Sequence, residues 1–95
     1  MNMEDQSRIA RSIGRDIARE RALFALIGSP RKNEPAEMQE ILRTNFEIGR
    51  GQIPSRLVEA GLPDNIARTV EDAFAKTATA ILNGVANSKY QPALR

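Results

Sequence analysis

A long stretch of helical periodicity, residues 63–87, dominates the sequence. At 100° per residue, its apolar and small side chains fall within one arc of about 160°, and polar side chains take the opposite side. The residues on this arc are Ile66, Val70, Ala73, Phe74, Thr77, Ala80, Ile81, Gly84 and Val85. Pro63 suits the first turn of a helix, and Asp64 complements the positive end of its dipole. The pattern predicts an amphipathic helix against which the remaining chain packs.

Three further segments also carry helical patterns, and no alternating β-branched run interrupts them. The predicted helices are residues 2–27, 34–49, 54–60 and 63–87. The short third helix ends at Gly61, a residue suited to a helix C-cap. The sequence therefore predicts an all-α protein, a small compact bundle of three long helices and one short helix. Residues 1–95 form a single domain in this prediction, and residues 88–95 form a frayed tail.

The predicted first helix has three distinct faces. Bulky residues form one face (Ile9, Ile13, Ile17, Phe24 and Ile27), small residues a second (Ala10, Gly14, Ala18 and Ala25), and arginines a third (Arg8, Arg11, Arg15 and Arg19). Because a glycine costs about 1 kcal/mol of helix propensity relative to alanine, Gly14 indicates that another backbone comes close. That backbone belongs either to the last helix, at Ala73, Ala80 and Gly84, or to a second copy of the first helix. A glycine tolerated on a half-exposed helix is the third interpretation.

Bulky core material is scarce in this chain. Hydrophobic residues are 41% of the sequence, but aromatic residues are only 4%. A short helical chain with an alanine-rich interior often completes its core with a second copy, so we predict an interlocked homodimer. The residues predicted to pack there are Ala10, Gly14, Ala18, Asn45, Ala80 and Gly84. Asn45 and Glu20 interrupt apolar faces of their helices, so each must be paired, at an interface or at a margin.

The residue types that are missing exclude several kinds of chemistry. The chain has no cysteine and no histidine, which removes disulfides, thiolate metal sites and the commonest general base. Gly49, Arg50 and Gly51 lack the preceding strand and following Lys-Ser/Thr of a phosphate-binding loop. We therefore predict a non-enzymatic protein without cofactor or metal. Residues 22–27 are too short to cross a bilayer and the N-terminus is acidic, which predicts a cytoplasmic protein.

The four arginines of the first helix form the most conspicuous charged feature. The formal net charge is only +2, yet the excess of basic residues lies in the N-terminal third. The stripe extends about 16 Å along the helix axis, and guanidinium groups bind oxyanions through two parallel hydrogen bonds. It predicts a surface for an acidic protein or for phosphates. A simple solvated face is the competing interpretation, because Asp16 and Glu20 share the helix and no aromatic residue interleaves.

Residues 54–74 resemble a helix-turn-helix unit, with a short helix, Gly61 in the turn and a longer helix. The fit is imperfect, because Arg56 stands where such units bury an apolar residue. Asp64, Glu71 and Asp72 would also place carboxylates against a phosphate-lined groove. Any glycine-capped helix pair produces the same pattern.

These observations favour a small non-enzymatic regulator, inhibitor or adaptor that binds another protein through helical surfaces, as a homodimer. The residues predicted to contact the partner are Arg8, Arg11, Arg15, Arg19, Leu23, Leu26 and Leu82. The alternative is a DNA-binding transcriptional or plasmid/phage regulator that uses the arginine stripe or the helix pair around Gly61. A protein partner is favoured over nucleic acid, because the total charge is nearly neutral and stacking aromatics are missing. No membrane partner is predicted.

Overall fold

The structure, a computed structural model, describes residues 2–28 and 35–86, which form helices and no strand. The elements are α1 (Met3–Gly28), α2 (Pro35–Gly51), α3 (Ile53–Ala60), a 3₁₀ turn (Asp64–Ile66) and α4 (Ala67–Ala86). The predicted all-α class is confirmed, and each predicted helix has a counterpart. The predicted tail, residues 88–95, lies outside the described residues.

The start of the last helix differs from the prediction. Pro63 has an extended backbone, with φ −74° and ψ 159°, and therefore precedes the helical residues instead of opening them. The next residues form a 3₁₀ turn, in which the Ile66 N–H donates to the Pro63 carbonyl at 3.2 Å. Such turns are common at the N-termini of α-helices. The predicted single helix over residues 63–87 is thus a 3₁₀ turn followed by α4.

The predicted glycine cap at the end of α3 is confirmed. Gly61 adopts a left-handed conformation, with φ 72°. Its N–H donates to the Val58 carbonyl, and the Leu62 N–H donates to the Leu57 carbonyl, both at 3.0 Å. This pair of hydrogen bonds is the Schellman arrangement, which turns the chain sharply after a helix. The turn buries Leu62 and directs the chain toward α4.

The three long helices form an elongated bundle with extents of 45 × 20 × 18 Å. Gly14 of α1 lies against Val70 and Phe74 of α4, and further along α1, Leu26 lines the same groove as Val85. The two helices therefore run parallel, and their interface is the most extensive between the described elements. The α2 helix packs antiparallel to both, because Gly49 near its end lies against Ile17, whereas the earlier Leu42 lines a groove with Leu26 and Val85.

The core is built from side chains of all four α-helices and the 3₁₀ turn. Its largest fully buried members are Ile17, Leu42, Ile53, Val70 and Phe74. At its centre the rings of Phe46 and Phe74 meet edge to face, with centroids 6.0 Å apart and an interplanar angle of 90°. Met38, Leu42 and Phe46 of α2 are buried, and Ile41 beside them is half-buried against the core.

The buried face of α1 differs from the bulky face seen in the sequence. Ala10, Ala18 and Ala25 are buried with Ile17, whereas Phe24 is 59% and Ile27 is 66% exposed. The α3 helix and the 3₁₀ turn contact α1, and Arg56 of α3 pairs with Glu20, which lies on the bulky side of α1. Beyond that point, no described element covers Phe24 and Ile27. The C-terminal half of the bulky face is therefore on the surface.

The buried face of α4 is rotated from its predicted position toward α2. Ala78 is buried although it lies outside the predicted arc, and Ala80 is exposed although it lies within it. The cause is that α4 packs between two helices, α1 and α2, so its buried arc is centred on Val70, Phe74 and Ala78. The opposite edge of the predicted arc, including Gly84, is only half-buried and faces a groove.

Candidate binding groove between the first and last helices

The candidate site lies along the pair of helices α1 and α4, which approach each other closely at Gly14. A Cβ atom on Gly14 would lie 2.4 Å from the Val70 carbonyl oxygen and 2.8 Å from the Phe74 nitrogen. Both are backbone atoms, so no side chain fits. The predicted close approach of another backbone is confirmed, with α4 of the same chain as the neighbour. The interpretation of Gly14 as a tolerated glycine on a half-exposed helix is wrong.

The other small residues predicted to pack against a second copy differ in their burial. Ala10 and Ala18 are buried with Gly14 inside the chain. Ala80 is exposed, and a Cβ on Gly84 would have no heavy atom within 4 Å. The matching surface on α4 is therefore Val70, Ala73 and Phe74, not the Ala80 and Gly84 edge.

Because α1 and α4 approach closely, longer side chains on one side of their seam form the walls of an open groove. We call this the α1–α4 groove, and its two ends differ in chemistry. One end, the basic half, has a volume of about 340 Å³ and is lined by Arg11, Arg15, Thr69, Asp72, Ala73, Lys76 and Thr77. The other end, the apolar half, has a volume of about 330 Å³ and is lined by Arg19, Ala22, Leu23, Leu26, Leu42, Ile81, Gly84 and Val85.

The two halves follow one another along the same side of the seam. Arg11, Arg15 and Arg19 are spaced by four residues, so they share one side of α1. Since α4 runs parallel to α1, the residues opposite them also advance along α4, from Thr69 to Val85. Arg19 lies where the basic half meets the apolar half. Five predicted partner-contact residues thus come together: Arg11, Arg15, Arg19, Leu23 and Leu26.

The basic half carries an excess of positive charge. Its lining contains three cations, Arg11, Arg15 and Lys76, and one carboxylate, Asp72. Within residues 2–28 and 35–86, none of the three cations forms an ion pair or a side-chain hydrogen bond. The guanidinium and ammonium groups are therefore available to an anionic partner group.

Two predicted contact residues are not part of the groove. Arg8, the first arginine of the stripe, is exposed and pairs with Asp5 one turn earlier. Leu82 is half-buried on the other side of α4, where it lines a depression between α2 and α4. The Gln39 Nε2 donates to the Leu82 carbonyl at 3.1 Å, which ties this part of α4 to α2.

The polar residues that interrupt apolar faces both have partners within the chain. The Arg21 guanidinium donates to the Asn45 Oδ1 at 2.7 Å, and the Asn45 Nδ2 donates to the Ile41 carbonyl at 3.1 Å. The guanidinium also lies 4.7 Å from the centre of the Phe24 ring. Glu20 accepts from the Arg56 guanidinium at 3.3 Å, at the margin of the bundle. Asn45 is thus satisfied by α1 of its own chain.

Arg21 was missed by sequence reasoning, although a signal was present. It lies three residues after Ala18 and four before Ala25, so it belongs to the small-residue face that α1 buries. A cation at such a position needs a partner, and Asn45 was the polar residue already identified on a neighbouring apolar face. Among the described residues, the Arg21 Nε has no hydrogen-bond partner.

The structure gives little support to the helix-turn-helix similarity. Arg56 stands where a helix-turn-helix unit buries an apolar residue. In this structure its guanidinium instead forms an ion pair with Glu20 at the margin of the bundle. The α4 helix, which would enter a DNA groove, is the central helix of the bundle and packs against α1, α2 and α3. Its exposed surface includes Glu71 and Asp72, whose charge opposes that of phosphates.

Two features are absent from the described residues. These residues contain no group of three or more acidic side chains placed to hold a metal ion. None of their helices has the length and apolarity that crossing a membrane requires. No protein-family model matches the chain, no curated protein matches its sequence significantly, and no solved structure matches its fold significantly. The functional interpretation therefore depends on the geometry of the groove.

Proposed function

We propose that this protein is a small non-enzymatic regulator, inhibitor or adaptor, whose partner protein docks in the α1–α4 groove. The observation that carries the proposal is the open apolar half of the groove, where Leu23 is 58% exposed beside half-buried Leu26 and Ile81. Apolar side chains grouped on one open face are typical of protein interaction sites. A groove between two parallel helices also has the shape that accepts an amphipathic helix. A cytoplasmic location, favoured by the lack of cysteine, belongs to the same proposal.

The shape of the groove favours binding over catalysis. Arg19 is the only polar side chain among the residues that line the apolar half. The basic half contains polar groups, but it lies open along the helix seam instead of enclosing a substrate. Catalytic sites gain much of their effect by excluding water around the reacting groups. A surface of this kind supplies affinity and orientation instead.

The test is affinity capture from the cells that encode the protein, with the captured proteins identified by mass spectrometry. Wild type is compared with a Leu23→Ser/Leu26→Ser variant. The matched control is Ile48→Ser/Val58→Ser, which also removes two accessible aliphatic side chains but lies outside the groove. We expect one partner to be captured by wild type and control and lost from the groove variant. The purified partner should then bind wild type directly in isothermal titration calorimetry, and the groove variant at least about tenfold more weakly.

Two results would contradict the proposal. One is a partner that the groove variant captures as well as wild type does. The other is the absence of any partner that binds directly once purified.

DNA binding by a regulator remains the second candidate function, favoured by the unpaired state of Arg11, Arg15 and Lys76 among the described residues. Four phosphate contacts would cost about two decades of affinity between 50 and 200 mM salt. Fluorescence anisotropy of a labelled duplex tests this with wild type and an Arg8/Arg11/Arg15/Arg19→Ser variant. We expect negligible binding at 150 mM salt, because the exposed surface also carries Asp72 and Glu71. Tight binding that the variant abolishes would reverse the order of the two candidates.

A further inference from the structure

The residues that line the α1–α4 groove also indicate the chemistry of the segment that binds there. We infer that the partner segment is an acidic amphipathic helix that lies along the groove. Its carboxylates lie over the basic half, and its apolar side chains lie over the apolar half. The inference rests on the proposed function and adds to it the charge, the spacing and the conformation of the bound segment.

The charge of the segment follows from the basic half. Arg11 and Arg15 are one helical turn apart and repel one another, and Lys76 adds a third positive charge from α4. Asp72 is the single carboxylate of the lining, so two positive charges are in excess there. Carboxylates of a partner would relieve the repulsion, and the guanidinium groups can each hold one through two hydrogen bonds.

The apolar half defines where the segment is anchored. Ala22, Leu42 and Val85 are the buried members of its lining, and Leu23, Leu26 and Ile81 are the more exposed apolar ones. The space above Gly84 is open, because a Cβ there would meet no heavy atom within 4 Å. A leucine or phenylalanine of the partner can therefore descend between the walls and lose its contact with water, which is the usual anchor of a helix in a groove.

The distance between the two halves sets the spacing in the partner. The middle of the Arg11 and Arg15 pair lies about 11 residues along α1 from the middle of the Leu23 and Leu26 pair, or about 17 Å. A partner helix covers that distance with about 11 residues, which is three turns, so its acidic and apolar groups fall on the same face. The helix conformation thus satisfies both halves at once.

A polyanion alone fits the groove less well. It would use the basic half only and would leave Leu23 and Leu26 exposed. A nucleic acid strand would also be expected to continue onto Arg8, whose guanidinium already pairs with Asp5. The combination of charge and apolar surface is what favours an acidic amphipathic helix.

The test uses a labelled, helix-stabilised peptide of about 18 residues, with two glutamates near one end and three leucines about 11 residues further on. A first comparison peptide shortens the spacing by two residues, which turns the two groups onto different faces. A second replaces the glutamates with lysines. In fluorescence anisotropy, we expect micromolar binding of the first peptide and at least about tenfold weaker binding of the other two.

The matching protein variants separate local charge from total charge. Arg11→Gln/Arg15→Gln/Lys76→Gln removes the basic half, and Arg43→Gln/Arg50→Gln/Arg68→Gln removes three exposed cations elsewhere. Both change the net charge equally, and glutamine keeps helix propensity. We expect the first variant to bind the peptide about tenfold more weakly and to lose its salt dependence between 50 and 500 mM. The control should behave as wild type, and circular dichroism should show the same fold for both variants.

Several outcomes would overturn the inference. These are peptide affinities that do not depend on spacing or on the sign of charge, equal binding of polyglutamate without leucines, and equal peptide affinities of the two variants. Dissociation of a dimer by the first variant alone, seen in sedimentation, would show that a second copy occupies the groove instead. A captured partner that requires Leu23 and Leu26 but not the basic half would leave the proposed function standing. Peptide binding as expected, with no cellular partner, would contradict only the proposed function.

Discussion

At the scale of single residues, three helical glycines that look alike in the sequence are under different constraints. A Cβ on Gly14 would meet backbone atoms of α4, whereas one on Gly49 would meet side-chain atoms of Arg21 at 2.8 Å and Ile17 at 2.9 Å. On Gly84 it would meet nothing within 4 Å. Side chains can rotate away and a packed backbone cannot. The role of Gly14 was predictable from its spacing to other small residues, but Gly49 looked like a simple helix end.

The same substitution at these three positions should therefore change stability in different directions. We expect Gly14→Ala to lower the free energy of unfolding by about 1 to 3 kcal/mol, because overpacking outweighs the gain in helix propensity. Gly84→Ala should raise it by up to about 1 kcal/mol, because the site is helical and open. The free energy of unfolding of Gly49→Ala should lie between those of the other two variants. Urea denaturation at constant m-value measures all three. Equal stabilities of the first two variants would contradict the packing of α1 on α4.

At the scale of the helices, the sequence predicts which segments are helical better than it predicts which faces are buried. The existence of each helix follows from its own periodicity and caps. The buried face of α1 does not, because close packing on α4 requires small residues, while Phe24 and Ile27 supply bulk on a side that no described element covers. Likewise α4 buries Ala78 because α2 lies against it. The face that a helix buries depends on the helices packed against it, and the sequence of one helix does not specify their positions.

The contact between α1 and α2 at Arg21 and Asn45 gives a prediction at this scale. Their hydrogen bond is 2.7 Å long and half-buried, so a double-mutant cycle with Arg21→Met and Asn45→Ala should give a coupling energy of about 1 kcal/mol. The Glu20 and Arg56 ion pair provides the comparison. It spans 3.3 Å with the Glu20 side chain 53% exposed, so its coupling should be at most about 0.5 kcal/mol and should decrease with salt. Urea denaturation of the two cycles measures both couplings, and a larger value for the ion pair would contradict this ranking.

At the scale of the whole molecule, the grouping of site residues could be predicted only in part. The arginine stripe follows from the four-residue spacing within one helix. Its continuation into an apolar groove depends on the parallel pairing of α1 with α4, two helices that are distant in sequence. Leu82 illustrates the limit, because it lies outside the predicted arc of α4 and its neighbours there come from α2, whose position the sequence does not specify.

Self-association remains a prediction, and the structure changes the surface through which we expect it. Ala10, Gly14 and Ala18 are buried inside the chain, so a second copy must use other residues. Phe24 and Ile27 are the large apolar side chains exposed on the outer side of α1, and covering one of them contributes about 1.5 to 3 kcal/mol. At 100° per residue, Leu26 lies about 100° around α1 from Ile27, and Leu23 lies one turn before Ile27, so a dimer formed there would border the α1–α4 groove at Leu23.

We therefore expect sedimentation equilibrium at tens of micromolar to show a dimer of wild type and a monomer of Phe24→Glu/Ile27→Glu. Two introduced carboxylates per chain would be buried against each other without partners, which raises the dissociation constant by at least about a hundredfold. Met3→Glu/Val58→Glu, also at exposed apolar positions, should remain dimeric. A monomeric wild type would contradict the homodimer altogether, and a dimer that persists in the Phe24 and Ile27 variant would place the interface elsewhere.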